Sequence, residues 1–387
     1  MGIGTIYKAL DAGGYSLKLW GLSAIDRYLG LPALPYAWVE TNADIVVLAR
    51  SFEGVRFPGP GIADAALDRA ERGWYFRCVE KEAPPQGSYR FLSFTQDIKT
   101  ERFQDPQGIY PLLRELRAGS LKKGPQASWW EGLNSHADQY QAAMEGALMA
   151  ARYGVEESVP ITALGQSLKK LPKGAPPNPE WQRILLRSLL VSPRPDRGLR
   201  LLKVSGLVEE LWPELSRLDE VEHTKEFHPE GNGWNHTMET FLYRKPIIPR
   251  QPVYDFKLSL GLLLHDVGKP LAAAAGKHPF DRHAELGAQL AHAFLKRLGF
   301  DAALIKDIRY LVKNHMLPAA LPRLPVHTHQ ELLASPLFPT LLELYRCDES
   351  SSFKDLEGYY RSSAAYQGYL KKRSPGGKRL LNRSNLL

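Results

Sequence analysis

Leu262-Leu263-Leu264-His265-Asp266-Val267-Gly268-Lys269 is the stretch on which the reading of this chain turns. The apolar run from Phe256 to Val267 predicts a buried helix, and it carries an adjacent His and Asp near its end. Burying either polar group without a partner costs on the order of a few kcal/mol, and more for the charged carboxylate. A divalent cation is a partner that satisfies both. Imidazole is the commonest transition-metal ligand, and a carboxylate beside it suits Mn, Fe, Mg, Co or Ni. Asp266 has two oxygens and can bridge two ions, while His265 binds one of them. Gly268 permits a turn that a side chain obstructs. Lys269 has two readings, a solvated lysine or a cation that meets a substrate phosphate.

Working outward, the chain has 11 His, and ten of them fall between His223 and His329. His236 sits in Trp234-Asn235-His236-Thr237, and His283 opens a predicted helix over Ala284–Leu298. His315 closes a predicted helix over Ile305–Asn314, and Asp348 follows one over Leu337–Cys347. His236, His265, Asp266 and Asp348 suffice for one ion; His283 and His315 make room for a second. His292 lies nine residues after His283, half a turn away at about 100° per residue, so it is read as structural. His223, His228, His278, His327 and His329 are read as loop or cleft-rim residues, with His228 and His278 the two that a sharper reading places against substrate.

The rest of the chain sets the frame. At 387 residues, 44% hydrophobic and 24% charged, it is long enough for two or three domains with real cores. No run of about 18 apolar residues occurs, which argues against a membrane-spanning helix. The first residues lack a secretory pattern, and the two cysteines, Cys78 and Cys347, lie far apart; a reducing cytoplasm is expected. The net charge of +8 weakly favours polyanionic partners. In the basic tail, Lys371-Lys372-Arg373 and Lys378-Arg379, the bland reading is a solvated terminus and the sharper one an arm on nucleic-acid phosphates.

Residues 1–125 read as α/β, with strands over Asp44–Leu48, Trp74–Val79 and Tyr89–Phe94 and a helix over Leu112–Leu121. Residues 126–215 read as helical, interrupted by the proline-rich loop Pro172–Pro179. Residues 216–387 read as helical almost throughout. The fold class expected is therefore α+β, a head with a sheet followed by helical domains.

The ordered set His236, His265-Asp266, His283, His315 and Asp348 resembles the HD superfamily of metal-dependent phosphohydrolases, with His265-Asp266 and the following Gly268-Lys269 its most specific part. The resemblance extends further. Ser192-Pro193-Arg194-Pro195, Arg197-Gly198-Leu199-Arg200-Leu201-Leu202, Leu211-Trp212-Pro213-Glu214-Leu215 and His228-Pro229-Glu230-Gly231 resemble the neck and HD region of bacterial tRNA nucleotidyltransferases, the CCA-adding and poly(A) polymerase-like enzymes. That family implies a nucleotidyltransferase head over 1–125, a helical neck over 126–215 and an HD domain from 216 onward. Its head carries a Gly-Gly segment, an Arg-Asp pair and two metal-binding Asp one residue apart. Here Leu22 stands where the second Gly belongs, Ile25 where the Arg belongs, and Tyr36 and Trp38 where the paired Asp belong; a further carboxylate falls near Ser93. Asp105-Pro106-Gln107-Gly108 keeps the family's Asp-Pro turn, and Asp26 and Asp44 survive outside the required pair. The expectation is a degenerate, non-catalytic head.

The leading functional expectation is hydrolysis of a phosphomonoester or phosphodiester by one or two divalent ions, with Asp266 and Lys269 as the catalytic residues. The substrate class is a nucleotide, a 2′,3′-cyclic phosphate or an RNA end, and no membrane partner is expected. The first rival is a nucleotidyltransferase extending RNA 3′ ends. The second is an RNA-binding protein with a structural metal, which predicts salt-dependent RNA retention without turnover.

Overall fold

The computed structural model describes residues 2–58, 63–69, 72–79, 93–119, 138–154, 161–221, 231–248, 253–275, 282–325, 329–352 and 355–373. It divides into two units: Met1–Ser216 with Arg244–Ser259 and Phe294–Asp301, and Arg217–Tyr243 with Leu260–Ala293 and Ala302–Leu387.

The first unit opens with helix α1 (Ile3–Asp11) and builds a sheet from β1 (Lys18–Trp20), β2 (Tyr36–Thr41), β3 (Val55–Arg56), β4 (Ala65–Arg69), β5 (Arg72–Cys78), β6 (Thr95–Asp97) and β7 (Phe103–Gln104). Among the described residues the order is β3-β4-β5-β2-β1-β6-β7. Only β2 and β5 pair in parallel, in register from Tyr36↔Gly73 to Thr41↔Cys78. Successive strand residues face opposite sides. Val39 and Phe76 on one side are fully buried, as are Ile25 of helix α2 (Leu22–Leu29) and Leu48 of α3 (Ile45–Ser51). On the other side Trp38 meets Tyr75 at 4.9 Å, Trp181 at 5.3 Å and Trp20 at 5.9 Å between ring centroids. Asp105 then turns the chain into α4 (Tyr110–Ala118), its two oxygens accepting from the Ile109 and Tyr110 N–H groups at 2.8 Å each.

The same unit continues as α5 (Gln139–Tyr153), α6 (Ile161–Leu168), α7 (Pro179–Leu190), α8 (Pro195–Val204), α9 (Leu207–Leu211) and α10 (Pro213–Ser216). The helix boundaries have local causes. Asp138 caps α5 by accepting from Tyr140 N at 2.7 Å, and Asn178 caps α7 through Trp181 N at 2.9 Å. Pro179 and Pro195 sit in the first turns of their helices, where the missing N–H costs nothing.

One expected strand is a helix. Asp44–Leu48 reads as β because Ile45, Val46 and Val47 are β-branched, yet Ile45–Ser51 forms α3. Asp44 is its N-cap, accepting from Val47 N at 2.7 Å, and Ile45 and Val46 are 44% and 50% exposed while Leu48 is buried. The cap and the single buried contact outweigh a propensity difference of a few tenths of a kcal/mol per residue. The expected strand Trp74–Val79 is β5; of Tyr89–Phe94, residues 89–92 lie outside the described residues, and β6 begins just after Phe94.

The second unit is helical: α11 (Gly233–Thr240), the end of α12 (Phe256–Leu264), α13 (Lys269–Ala275), most of α14 (His283–Arg297), α15 (Ala302–Asn314), α16 (Leu317–Ala320), α17 (Gln330–Ala334), α18 (Phe338–Ser350) and α19 (Glu357–Arg373). Leu260, Leu262, Leu263 and Leu264 are fully buried, as are Leu311, Val312, Leu341 and Leu344. Among the described residues no helix is long and apolar enough to cross a membrane.

Candidate metal centre

The expected helix over Phe256–Val267 stops at Leu264, and His265–Gly268 form a turn before α13. Gly268 is required there by close approach. A Cβ at that position would stand 2.1 Å from the His283 carbonyl oxygen and 2.4 Å from the Gly287 nitrogen. The first turn of α14 therefore packs directly on the His-Asp turn, which brings His283 beside Asp266.

All six proposed ligands converge. His236, His265, Asp266, His283 and His315 are between 1% and 8% exposed. The Asp348 side chain, in the last turn of α18, remains 25% exposed. Around Oδ2 of Asp266 lie His265 Nε2 at 3.2 Å and His236 Nε2 at 3.9 Å. Asp348 Oδ1 completes this group, 2.9 Å from His236 Nε2 and 3.7 Å from His265 Nε2. Around Oδ1 of Asp266 lie His283 Nε2 at 3.7 Å and His315 Nε2 at 3.8 Å, with 3.0 Å between the two imidazole nitrogens. One carboxylate thus faces two ligand groups, His236–His265–Asp266 and Asp266–His283–His315, each able to hold a cation.

Two of the four imidazoles are fixed through their other nitrogen. His265 Nδ1 meets the Leu262 carbonyl at 2.8 Å, and His315 Nδ1 meets the Val312 carbonyl at 2.7 Å. A carbonyl only accepts, so each Nδ1 carries a proton, and in the neutral ring each Nε2 presents a lone pair to the centre. His265 Nε2 is buried without a hydrogen-bond partner among the described residues, as a metal-facing nitrogen would be. The donor set, four imidazoles and two carboxylates, suits a borderline divalent ion.

The electrostatics follow the same geometry. Burial opposes ionisation of Asp266, yet His265 and Lys269 hold its carboxyl well below the usual range. Burial likewise opposes ionisation of Asp348, but the hydrogen bond to His236 lowers it. Burial and the nearby His265 bring His315 down to about 4, whereas Asp266 and Asp348 raise His265 against the effect of its own burial. Lys269 Nζ stands 2.6 Å from Asp266 Oδ2, so this lysine is tied to the centre and 14% exposed.

A cavity of about 270 Å³ opens on the centre, lined by His236, Asp266, Lys269, His283, His315 and Asp348. Tyr345, Glu349, Met316 and Ser352 line it as well, and sequence reasoning missed them. Tyr345 and Glu349 are i, i+4 on α18 and bracket Asp348, a spacing that by itself does not mark them as functional. His292 belongs to neither ligand group, and His329 is the residue before α17. His223, His228, His278 and His327 lie outside the described residues, as does the end of the basic tail.

Residues 233–349 match the HD domain family. An A-adding tRNA nucleotidyltransferase of Deinococcus radiodurans is 34% identical over 368 residues, spanning 86% of this chain and 76% of that protein. The chain belongs to the tRNA nucleotidyltransferase family. A CC-adding tRNA nucleotidyltransferase of Thermus thermophilus is 34% identical over 160 residues, 40% of this chain and 36% of its own length. A crystal structure of the Bacillus stearothermophilus CCA-adding enzyme in complex with CTP is similar at 12% identity with a TM-score of 0.47, over 95% of this chain and 81% of that one.

In this tRNA nucleotidyltransferase family member, the sheet face of the head is aromatic where the resemblance calls for carboxylates. Tyr36 and Trp38, which the resemblance sets at those two positions, lie on β2 and pack with Tyr75 and Trp181. Asp44 and Asp26 both make structural contacts. Asp44 caps α3. Asp26 is 2% exposed and accepts from Arg152 Nε at 2.7 Å and from the Tyr153 hydroxyl at 2.8 Å.

Proposed function

We propose that this chain hydrolyses phosphomonoesters or phosphodiesters, those of a nucleotide, a cyclic phosphate or an RNA end, at the centre around Asp266. The observation that carries this reading is that Asp266 turns one oxygen to each of two imidazole groups. His236, His265, Asp266 and Asp348 would hold one divalent ion, and Asp266, His283 and His315 a second; Mn, Fe, Mg, Co and Ni all fit such donors. When bound, the ions supply a polarised water and offset charge developing on phosphoryl oxygens. The chain's own groups orient the reaction. Asp266 fixes the spacing of the two ligand groups, the Leu262 and Val312 carbonyls hold two imidazoles in the ligating tautomer, and Lys269 sets a cation at the cavity wall to meet a phosphoryl oxygen. In this reading 1–125 is a degenerate head, 126–215 a neck and 216–387 the HD domain with its basic tail, and the reaction is cytoplasmic.

The test is metal analysis with an assay on simple phosphoesters across Mn²⁺, Mg²⁺, Co²⁺ and Ni²⁺, with a metal-free control. Asp266→Asn should lose metal from both groups, and turnover should fall by more than the ~100-fold typical of losing an outer-shell partner. Full activity in a folded Asp266→Asn protein refutes the reading.

Nucleotidyl transfer to RNA 3′ ends is the second reading. Sequence kinship speaks for it, through the 34% identity with the A-adding relative over most of the chain. Against it stands the alignment of the head suggested by the resemblance, because transfer needs carboxylates to hold Mg²⁺ against a triphosphate, and Tyr36 and Trp38 supply none. Incubation with tRNA, Mg²⁺ and labelled ATP or CTP separates the two. Label incorporated without a template supports transfer; ester hydrolysis without label supports the first reading.

A further inference from the structure

The cavity wall contains one assembly that metal ligation leaves unused. Tyr345, one turn before Asp348 on α18, donates its hydroxyl hydrogen to Glu349 Oε1. The second oxygen of Glu349 accepts from Tyr359 N, on α19, at 2.8 Å. Both carboxylate oxygens are therefore committed, and the phenol is held from two helices. Gly358 makes this possible: a Cβ there would lie 2.6 Å from the Tyr345 hydroxyl oxygen and 2.4 Å from Glu349 Oε1. Tyr345 and Glu349 both line the cavity that opens on Asp266 and Lys269.

The hydrogen-bond inventory of this assembly is one-sided. A phenol has one hydrogen and two lone pairs. With its hydrogen given to Glu349, Tyr345 offers the cavity only an acceptor, and the neighbouring carboxylate is an acceptor too. Phosphoryl oxygens are acceptors, so they are disfavoured at this edge and favoured beside Lys269. What fits the acceptor edge is a donor. At about 270 Å³ the cavity is at the small end of ligand sites, so that donor must lie close to the phosphoryl group.

We propose that Tyr345, locked by Glu349 and Gly358, reads a hydroxyl adjacent to the ester oxygen, so that the site selects monophosphates of vicinal diols over their deoxy counterparts. This rests on the hydrolytic reading above and names the substrate class for it. A hydrogen bond to an acceptor of this kind corresponds to roughly 10- to 100-fold discrimination.

The probes are adenosine 3′-phosphate and 2′-deoxyadenosine 3′-phosphate, given to the full chain with the ion that supports turnover. The expected result is a kcat/KM at least about tenfold higher for the ribonucleotide. In Tyr345→Phe that ratio should collapse toward one, mainly through KM, with unfolding temperature as the check on folding. Should Tyr345→Phe fail to fold, Glu349→Leu, which removes the acceptor and frees the phenol hydrogen, is expected to shrink the same ratio. Calorimetric titration of the metal-free protein with both nucleotides is a second readout, with tighter binding of the ribonucleotide expected in the native chain alone. Equal kcat/KM for the two nucleotides, or a preference that survives both substitutions, overturns the proposal. If no phosphoester is turned over with any ion, the hydrolytic reading fails, and the calorimetric comparison alone decides whether the acceptor edge reads the hydroxyl.

Discussion

His315 shows how much one buried side chain can encode. Its Nδ1 is committed to the Val312 carbonyl, and burial with the nearby His265 brings its pKa to about 4. The ordinary value is 6.5, so the folded protein keeps this ring neutral over a range where the unfolded chain protonates it. The stability that His315 contributes is thus present above 6.5 and lost as pH falls from there toward 4. Urea unfolding of the metal-free protein between pH 7 and 4.5 should show a steeper loss for the native chain than for His315→Gln, by up to ~1.4 kcal/mol per pH unit. Equal slopes would contradict the assignment. His265 and Asp266 were legible because adjacent polar groups at the end of a strongly apolar helix are costly without a partner, and His236, His283, His315 and Asp348 were legible through the clustering of histidines and the resemblance to the HD superfamily. Tyr345 and Glu349 were not, because a tyrosine and a glutamate on a helix carry no such signal until α19 is seen against them.

Element by element, helix positions follow the 3.6-residue apolar period, and helix starts follow their caps. The expected helices over 284–298, 305–314 and 337–347 correspond to observed ones, shifted by a few residues, as does the described part of 112–121. The exception, α3, is instructive. Its β-branched residues point to a strand, while Asp44 at its N-cap and the burial of Leu48 hold it helical. Asp44→Ala should therefore destabilise the first unit by about 1 kcal/mol. Chemical denaturation would register this as a lower midpoint with an unchanged slope. No change in midpoint would mean that packing alone keeps α3 helical.

At the scale of the whole first unit, α2 is tied to α5 by a buried ion pair. Asp26 on α2 meets Arg152 on α5, and the Tyr153 hydroxyl joins them. Removing the carboxylate would strand a guanidinium that is 4% exposed. Asp26→Ala should cost about 3–5 kcal/mol in thermal unfolding, and replacing both partners by apolar residues of similar size should recover most of it. If Asp26→Ala melts like the native protein, the pair is not what holds α2 to α5. Asp26 thus fills a structural role, although from the sequence it reads as a survivor of lost chemistry.

By itself, the sequence determined the class of fold and the helical periodicity, because both are written in local composition and spacing, and it singled out the six candidate ligands through the histidine clustering and the resemblance to the HD superfamily. Only the tertiary structure decided that Asp266 stands between two imidazole groups, that Lys269 is tied to it, that Asp26 belongs to Arg152, and that Tyr345 is locked by Glu349. The physical reason is range. Periodicity and capping act within a few residues, whereas hydrogen-bond direction, burial and close approach at Gly268 and Gly358 depend on segments that meet only when the helices pack.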